Sequence, residues 1–586
     1  MIFHFFLLCF LQVIGQLAVA SGDYHEQLLL QPLLPSSLLA SFNFRSNASL
    51  SSFNQQHFRY FPRSLGQILQ HAKTRELHLR FSTGRWDAEC WGARPWGGVK
   101  EGGTGVELWA WVEAETEKEA FARWITLNHA LSGLFCASLN FIDSTRTIRP
   151  VMTFEPLGDH LDTSNLHLLH GTLPHEVVCT ENLTPFLKLL PCKGRAGISS
   201  LLDGHKLFDA SWQTMAIDVR PLCPAGGSEC VVEMEQTVDM VLDIERSKRP
   251  RDNPIPRPIR REDLLCDSSK SYPTEDACYP LDVSQHQSWG LSEVFGRPIK
   301  GSCLDANSSY IDDQSVTLRV PSERDVYISG GALEHKDPGG YSRSFTLPSS
   351  LDFDMMLPQQ DLNYQSVLSQ PPLYAERSFT GHGQERGGVQ AILTNPSKIY
   401  PVEFIYLESL PWFMKPYLHT LEASLSGKRS AEKLIKDIYY RPAVDRSRGT
   451  HLEIHLSVPA ASTVILTYDF EKAILRYTEY PPDANRGFDV APAVIRLLSN
   501  NSSKSVYLRT TSLLLPLPTP DFSMPYNVII LTSTVIALAF GSIYNLLVRR
   551  FVGADEAGVG FLQRLKDKIR PWIAKQRERG TEKKTQ

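Results

Sequence analysis

The chain has 586 residues, of which 42% are hydrophobic and 21% charged, with a formal net charge of −4. This is the composition of an ordinary globular protein, and it lacks the basic excess that a nucleic-acid partner requires. The length exceeds what one hydrophobic core organises, so two or more domains are expected.

In chain order, Ile2–Ala20 is a short apolar run that closes on Ala18-Val19-Ala20 before Ser21. That small-x-small ending reads as a cleaved secretory signal, residues 1–20, although His4 is the only side chain there able to add positive charge. The mature chain is then expected in an oxidising lumen. Nine cysteines remain beyond Cys9: Cys90, Cys136, Cys179, Cys192, Cys223, Cys230, Cys266, Cys278 and Cys303. Nine is odd, so either one thiol stays free or one bonds another chain. Sequons at Asn47, Asn182, Asn307, Asn500 and Asn501 fit the same compartment, Asn182 least because Pro185 follows Thr184.

Residues 21–245 read as a mixed α+β domain. Leu77, Leu79 and Phe81 alternate, as does Val106–Val112, and Gly84–Gly105 between them is a loop rich in Trp and Gly. Its tryptophans pack beneath the loop or grip a ligand, and packing is the expected use. Thr116 and Glu119 have capping-box spacing for a helix whose apolar face is Phe121, Trp124, Leu127, Leu131 and Leu134, ending near Gly133. Met215–Val219 and Val232–Ile244 alternate as strands, and the short loop between them makes Cys223 and Cys230 a local disulfide.

Arg246–Arg261 carries seven Lys/Arg and four Pro in sixteen residues, the composition of an extended linker, placed at 246–275. A basic patch for anionic headgroups is the alternative. Glu334–Gly388 is weakly patterned and reads as long loops. From Ile399 onward, alternating segments return at short intervals: Val402–Tyr406, Leu452–Val458 and Val464–Phe470. These predict an antiparallel β-sandwich-like domain within 276–520. The fold class expected is mainly β with some α, plus one C-terminal transmembrane helix.

That helix is assigned to residues 526–548. Its core, Val528–Val548, has 21 residues without Asp, Glu, Lys, Arg or His, enough to cross about 30 Å of hydrocarbon. The tail 549–586 holds 11 Lys/Arg against five Asp/Glu, which places it in the cytosol and the bulk of the chain opposite. Ser533, Ala537, Gly541 and Asn545 draw a small, polar stripe down the span. Phe561–Arg570 reads as a basic amphipathic helix limited by Pro571. The charged tail argues against a lipid-anchor signal, which ends in its hydrophobic stretch.

No HExxH, GxSxG, GxGxxG or P-loop motif occurs, and no metal or cofactor is expected. The residues alone leave two readings: a membrane-tethered scaffold, or a lumenal hydrolase or transferase acting by itself.

Gly133–Thr147 (GLFCASLNFIDSTRT), Val177–Cys192 (VVCTENLTPFLKLLPC), Tyr477–Phe488 (YTEYPPDANRGF) and Pro518–Val528 (PTPDFSMPYNV), running into Tyr544–Arg550 (YNLLVRR), resemble one family. They are similar to the PIG-T subunits of the endoplasmic reticulum GPI transamidase, which joins proprotein carboxyl ends to a preassembled GPI lipid. The resemblance implies a non-catalytic subunit that stabilises the caspase-like peptidase PIG-K. It also implies an interchain disulfide through the cysteine of VVCTENLTP, here Cys179. PIG-S, PIG-U and a GPAA-type membrane subunit are the further implied partners, along with membrane lipid or GPI.

Overall fold

The computed structural model describes residues 23–34, 36–160, 162–223, 229–248, 264–272, 275–280, 288–303, 314–336, 341–347, 351–360, 369–381, 383–426, 434–481, 483–498, 505–518, 523–549, 560 and 562–571. The signal segment, most of the basic segment 246–261, and Asn307, Asn500 and Asn501 lie outside them. Residues up to Pro518 form one compact unit and those from Thr519 a second.

The first unit is built on an eleven-stranded sheet. Its strands in chain order are β1 (Tyr24–Leu33), β2 (Ser37–Ser49), β3 (Thr74–Gly84), β4 (Gly105–Glu113), β5 (Thr147–Ile148), β6 (Leu166–Leu173), β7 (Trp212–Leu222) and β8 (Val231–Asp243). The spatial order is β1-β2-β8-β7-β3-β4-β6-β5. Three strands from beyond the 246–275 segment join at the β1 edge, Gln314–Leu318, Arg343–Thr346 and Leu333–Lys336. The pairing of Gln314–Leu318 with β1 is parallel, and the other pairings described are antiparallel. The chain therefore returns to its first sheet after crossing the basic segment.

Period-two alternation puts one residue set of each strand against the helices. Leu77, Leu79 and Phe81 of β3, Met215, Ile217 and Val219 of β7, and Phe42 and Phe44 of β2 share one core. The longer helices on that face are α1 (Arg63–His71), α2 (Glu117–Phe135) and α3 (Thr180–Leu189), and the short helices Leu50–Asn54, Gly204–Leu207 and Leu291–Phe295 pack on the same core. Thr116 caps α2 by accepting from the Glu119 N–H, which satisfies an orphan donor of the first turn. The helix runs two residues past Gly133, because the chain turns at Cys136 (φ 51°, ψ 40°), a left-handed cap. Trp124, Leu127 and Leu131 are buried, with Phe121 and Leu134 at the margin.

A second β assembly follows. A four-stranded sheet (Tyr374–Thr380, Arg386–Thr394, Thr463–Lys472, Met414–Leu425) faces a five-stranded sheet (Ile435–Arg441, Thr450–Val458, Val402–Leu410, Val494–Leu498, Val506–Arg509). Leu393, Val464 and Leu466 of one interleave with Tyr406, Ile454 and Ile495 of the other, the core of an antiparallel sandwich. The protein is thus mainly β with some α. The 334–388 region, expected as loops, supplies five strands (Leu333–Lys336, Arg343–Thr346, Asp354–Leu357, Tyr374–Thr380 and Arg386–Thr394). Three of them have only four residues, too short for alternation to register against the Gly and Ser around them.

Disulfides join Cys223 to Cys230 and Cys192 to Cys303. Cys278 is also disulfide-bonded, and the backbone register of its hairpin sets Cys266 opposite it. Cys90, Cys136 and Cys179 are thiols. In the second unit, the helix Ser523–Val548 contains the segment Tyr526–Val548, long and apolar enough to cross a membrane. Residues 562–571 are helical.

Trp124 is fully buried and its indole N–H donates to Thr147 Oγ1 at 3.1 Å. Trp124→Ala is expected to cost about 3–5 kcal/mol through the cavity it leaves, read as a lowered unfolding midpoint in denaturant.

Candidate functional site

Cys179 precedes the first turn of α3 and is half-buried. Asn182, three residues on, fixes its backbone: Oδ1 accepts from the Cys179 N–H at 2.9 Å. The Nδ2 of the same side chain donates to the Phe135 carbonyl at 3.0 Å and the Cys136 carbonyl at 3.3 Å. Asn182 is only 1% exposed. A glycan at Asn182 would need the nitrogen that clamps the two helix ends. Asn47 differs. It is half-buried, and its Oδ1 accepts from the Asp23 N–H at 2.7 Å, which leaves that nitrogen out of the contact.

Val177 is 77% exposed and Phe141 62%. Ser138 N–H donates to Glu176 Oε1 at 2.8 Å, which ties the loop after α2 to the loop before α3. Asn182 thus holds the start of α3, with the half-buried thiol Cys179, against the end of α2, with the exposed thiol Cys136. Cys90 is set apart, packed on the Trp86–Trp91–Trp212 cluster. Trp86 and Trp91 thus pack beneath their loop, whereas Trp96 is 41% exposed.

The opposite face of the sheet holds a group of charges that sequence reasoning passed over. Between the core residues of β3 lie Glu76, His78 and Arg80, each 0% exposed. Glu76 accepts from His78 Nε2 at 2.7 Å, His160 Nε2 at 2.7 Å and the Leu157 N–H at 2.8 Å. Asp218 on β7 pairs with Arg80, with His78 and with Lys100 Nζ, the last at 2.7 Å. Lys100 also pairs with Glu235, which accepts from Asn43 Nδ2 at 2.6 Å. Trp96 Nε1 donates to Ser41 Oγ at 3.0 Å, and that hydroxyl bonds Asp239.

Burial by itself raises these carboxyls, and each neighbourhood decides the outcome. Burial is outweighed at Asp218, held well below the usual range by Arg80, Lys100 and His78. It is outweighed at Glu76, held down at about 2 by His160 and His78. At Asp239 burial prevails over the Ser41 and Trp96 hydrogen bonds, and the carboxyl is pushed up to about 7. Glu26 behaves likewise: burial lifts it to about 7 against hydrogen bonds from Tyr24 and Ile198.

The sandwich docks on this charged face. Arg509 donates from Nε to Glu107 Oε2 at 2.8 Å and from Nη1 to the Gly98 carbonyl at 3.0 Å. Glu107 also meets His170 at 3.1 Å. Glu453 of the sandwich accepts from the Val151 and Met152 N–H groups at 2.7 Å each and from Thr153 Oγ1 at 2.8 Å. Phe154 stacks between Trp109 of the sheet and Tyr507 of the sandwich, at 5.1 and 5.7 Å. A cleft of about 1230 Å³ opens beside this contact, lined by both signs of charge, including Arg94, Glu101, Arg377 and Arg509. Its polar walls can hold water or polar chain, but the His–carboxylate groups above are sealed from solvent. Among the described residues, no group of three or more His, Cys, Asp or Glu is arranged to hold a metal ion.

Arg509→Ala takes the guanidinium from buried Glu107 and leaves it His170 and the Gly103 N–H, and is expected to cost about 3–5 kcal/mol; adding Glu107→Gln should recover part of that loss in a thermal-melt cycle. The raised carboxyls set a pH dependence. Glu26 starts from 4.5 and reaches about 7 in the fold, so its contribution is complete below about pH 4.5 and lost as pH climbs through 7. Melting of the full chain in detergent should fall between pH 5 and 8, and Glu26→Gln should flatten that slope by up to roughly 3 kcal/mol.

A model of the Gpi16 subunit, a GPI transamidase component, matches residues 5–574. The chain is 40% identical over 554 residues to GPI transamidase component GPI16 of Saccharomyces cerevisiae, covering 91% of this chain and 90% of that one. It is 36% identical to the PIG-T homolog of Schizosaccharomyces pombe, covering 94% and 95%. It is 34% identical to GPI-anchor transamidase component PIGT of Homo sapiens, covering 93% of each. With a family match over residues 5–574 and relatives aligned over 90% or more of each chain, the chain belongs to the Gpi16 family of GPI transamidase components.

Proposed function

We propose that this chain is the non-catalytic scaffold of a GPI transamidase, tied through Cys179 to the caspase-like peptidase subunit PIG-K. One observation carries the reading. Cys179 remains a thiol, fixed in place by Asn182, in a chain where Cys192, Cys223, Cys230, Cys278 and Cys303 are disulfide-bonded. A covalent tie turns a reversible contact into an intramolecular one, so the peptidase is not lost to diffusion in the membrane. The exposed Val177, two residues before Cys179, supplies apolar area for the surrounding contact.

The excess of cationic residues after Val548 supports a single-pass, type I chain in the endoplasmic reticulum membrane, with its bulk lumenal. Its span and lumenal surfaces would meet PIG-S, PIG-U and the GPAA-type subunit. Asn47, Asn307, Asn500 and Asn501 are the proposed carbohydrate acceptors. A lumenal hydrolase or transferase acting alone is the second reading. Against it stand His78, Asp218 and Glu76, the acid–base groups best placed for chemistry, at 0–1% exposure and committed to one another.

Non-reducing electrophoresis of the complex is expected to show a band at the summed mass of two subunits, collapsing to separate chains in Cys179→Ser. A band that survives Cys179→Ser assigns the link elsewhere. Peptide cleavage or ligation by the purified chain alone would overturn the scaffold reading.

A further inference from the structure

Tyr477–Phe488, one of the segments that carry the family resemblance, lies where the chain leaves the first unit. Phe488 pairs with Leu515 on the last strand of that unit, Leu513–Leu515. The turn 473–480 is bonded to the same exit at both ends. Lys472 Nζ donates to the Pro516 carbonyl at 2.9 Å, and the Tyr480 hydroxyl donates to the Pro518 carbonyl at 2.5 Å. Leu475 is buried with Leu515 and Leu517, and Glu479 closes the turn by accepting from the Arg476 N–H at 2.7 Å while it pairs with Arg446. On this fixed turn Ile474 is 84% exposed, the highest value among the large hydrophobic side chains described, and Tyr477 is 53% exposed. Leu547 of the span stands at 80%. Arg476, between Ile474 and Tyr477, is exposed as well.

Singly exposed hydrophobic residues are ordinary, so position decides what these mean. Pro518 and Ser523, the first residue of the helix that holds the span, are five residues apart, at most about 18 Å of chain. We propose that the turn 473–480 docks on the lipid interface beside the span, with Ile474 and Tyr477 among the headgroups and Arg476 against lipid phosphate. Tyrosine is a residue of membrane–water interfaces, a nearby cation meets phosphate there, and an aliphatic side chain buries area that the fold leaves in water. A second contact beside the span limits how the first unit tilts on the membrane. The span must lie in a bilayer for this, and the Cys179 link need not form. Ile399 and Tyr400, 74% and 70% exposed, give the contrast. The Tyr400 carbonyl accepts from Asn395, next to Thr394, which pairs with Thr463, whereas Arg386 pairs with Glu471. The strand Thr463–Lys472, about 30 Å long, therefore separates them from the turn.

The test places the photoreactive residue p-benzoylphenylalanine at position 474, 477 or 399 of the full-length chain, in phosphatidylcholine vesicles, alone and within the assembled complex. After irradiation, peptides carrying positions 474 and 477 are expected to bear lipid adducts in both preparations, and position 399 none. Position 399 holds the same apolar probe at similar exposure, so the affinity of the probe for lipid is common to all three. Lipid adducts as frequent at 399 as at 474, none at 474, or a protein adduct in their place within the complex each overturn the docking. Alkaline carbonate that strips the chain from the vesicles removes the span and the docking together.

Discussion

The arrangement depends on the ion pair between Glu107 and Arg509, two residues 402 positions apart in the chain. Each is at most 5% exposed, so neither charge can fall back on water. A buried pair of this kind is not a strong source of net stability, since desolvation cancels most of the Coulomb gain. Its effect is on geometry: any other seating of the sandwich takes Arg509 from its carboxylate and leaves buried Glu107 with His170 alone as a charged partner. The Glu453 hydrogen bonds to residues 151–153 act the same way at a second point. Two points of this kind fix an orientation where apolar area alone would tolerate sliding.

The polar face behind the pair extends the same logic. Lys100 reaches between Asp218 and Glu235 from the Trp-rich loop, so the loop is pinned by charge, while Trp86 and Trp91 close over the apolar end of the sheet. Acid–base residues that look catalytic by type are spent on structure. These charged groups are sealed inside the sheet, while Cys179 stays half-buried at the start of α3.

Much of this was legible in the residues. Thr116 and Glu119 announced the start of α2, and the alternation in β3, β7 and β8 identified the strands and the face that meets the helices. The short Pro/Gly loop suggested the Cys223–Cys230 pair, which the fold contains. Glu76, His78 and Arg80 were visible too, but as the polar half of an alternating strand, a pattern that reads as solvent-facing. Only the arrival of Arg509 and Lys100 from distant segments makes that half an interior. The Asn182 sequon has a related context. Its local triplet is correct, yet the side chain points at the end of α2, 46 residues upstream.

Sequence alone determined what depends on near neighbours: a 23-residue apolar span, the capped helix, the strand periods, an odd cysteine count and the motifs that carry family membership. Tertiary structure decided what depends on residues hundreds of positions apart. It brought Gln314–Leu318 back beside β1 and buried the charged face under the sandwich. It also set Cys136 and Cys179 on one asparagine. The difference is physical, because periodicity and capping arise within a turn or a pleat, whereas the burial of a charge is settled by whichever distant partner arrives to neutralise it.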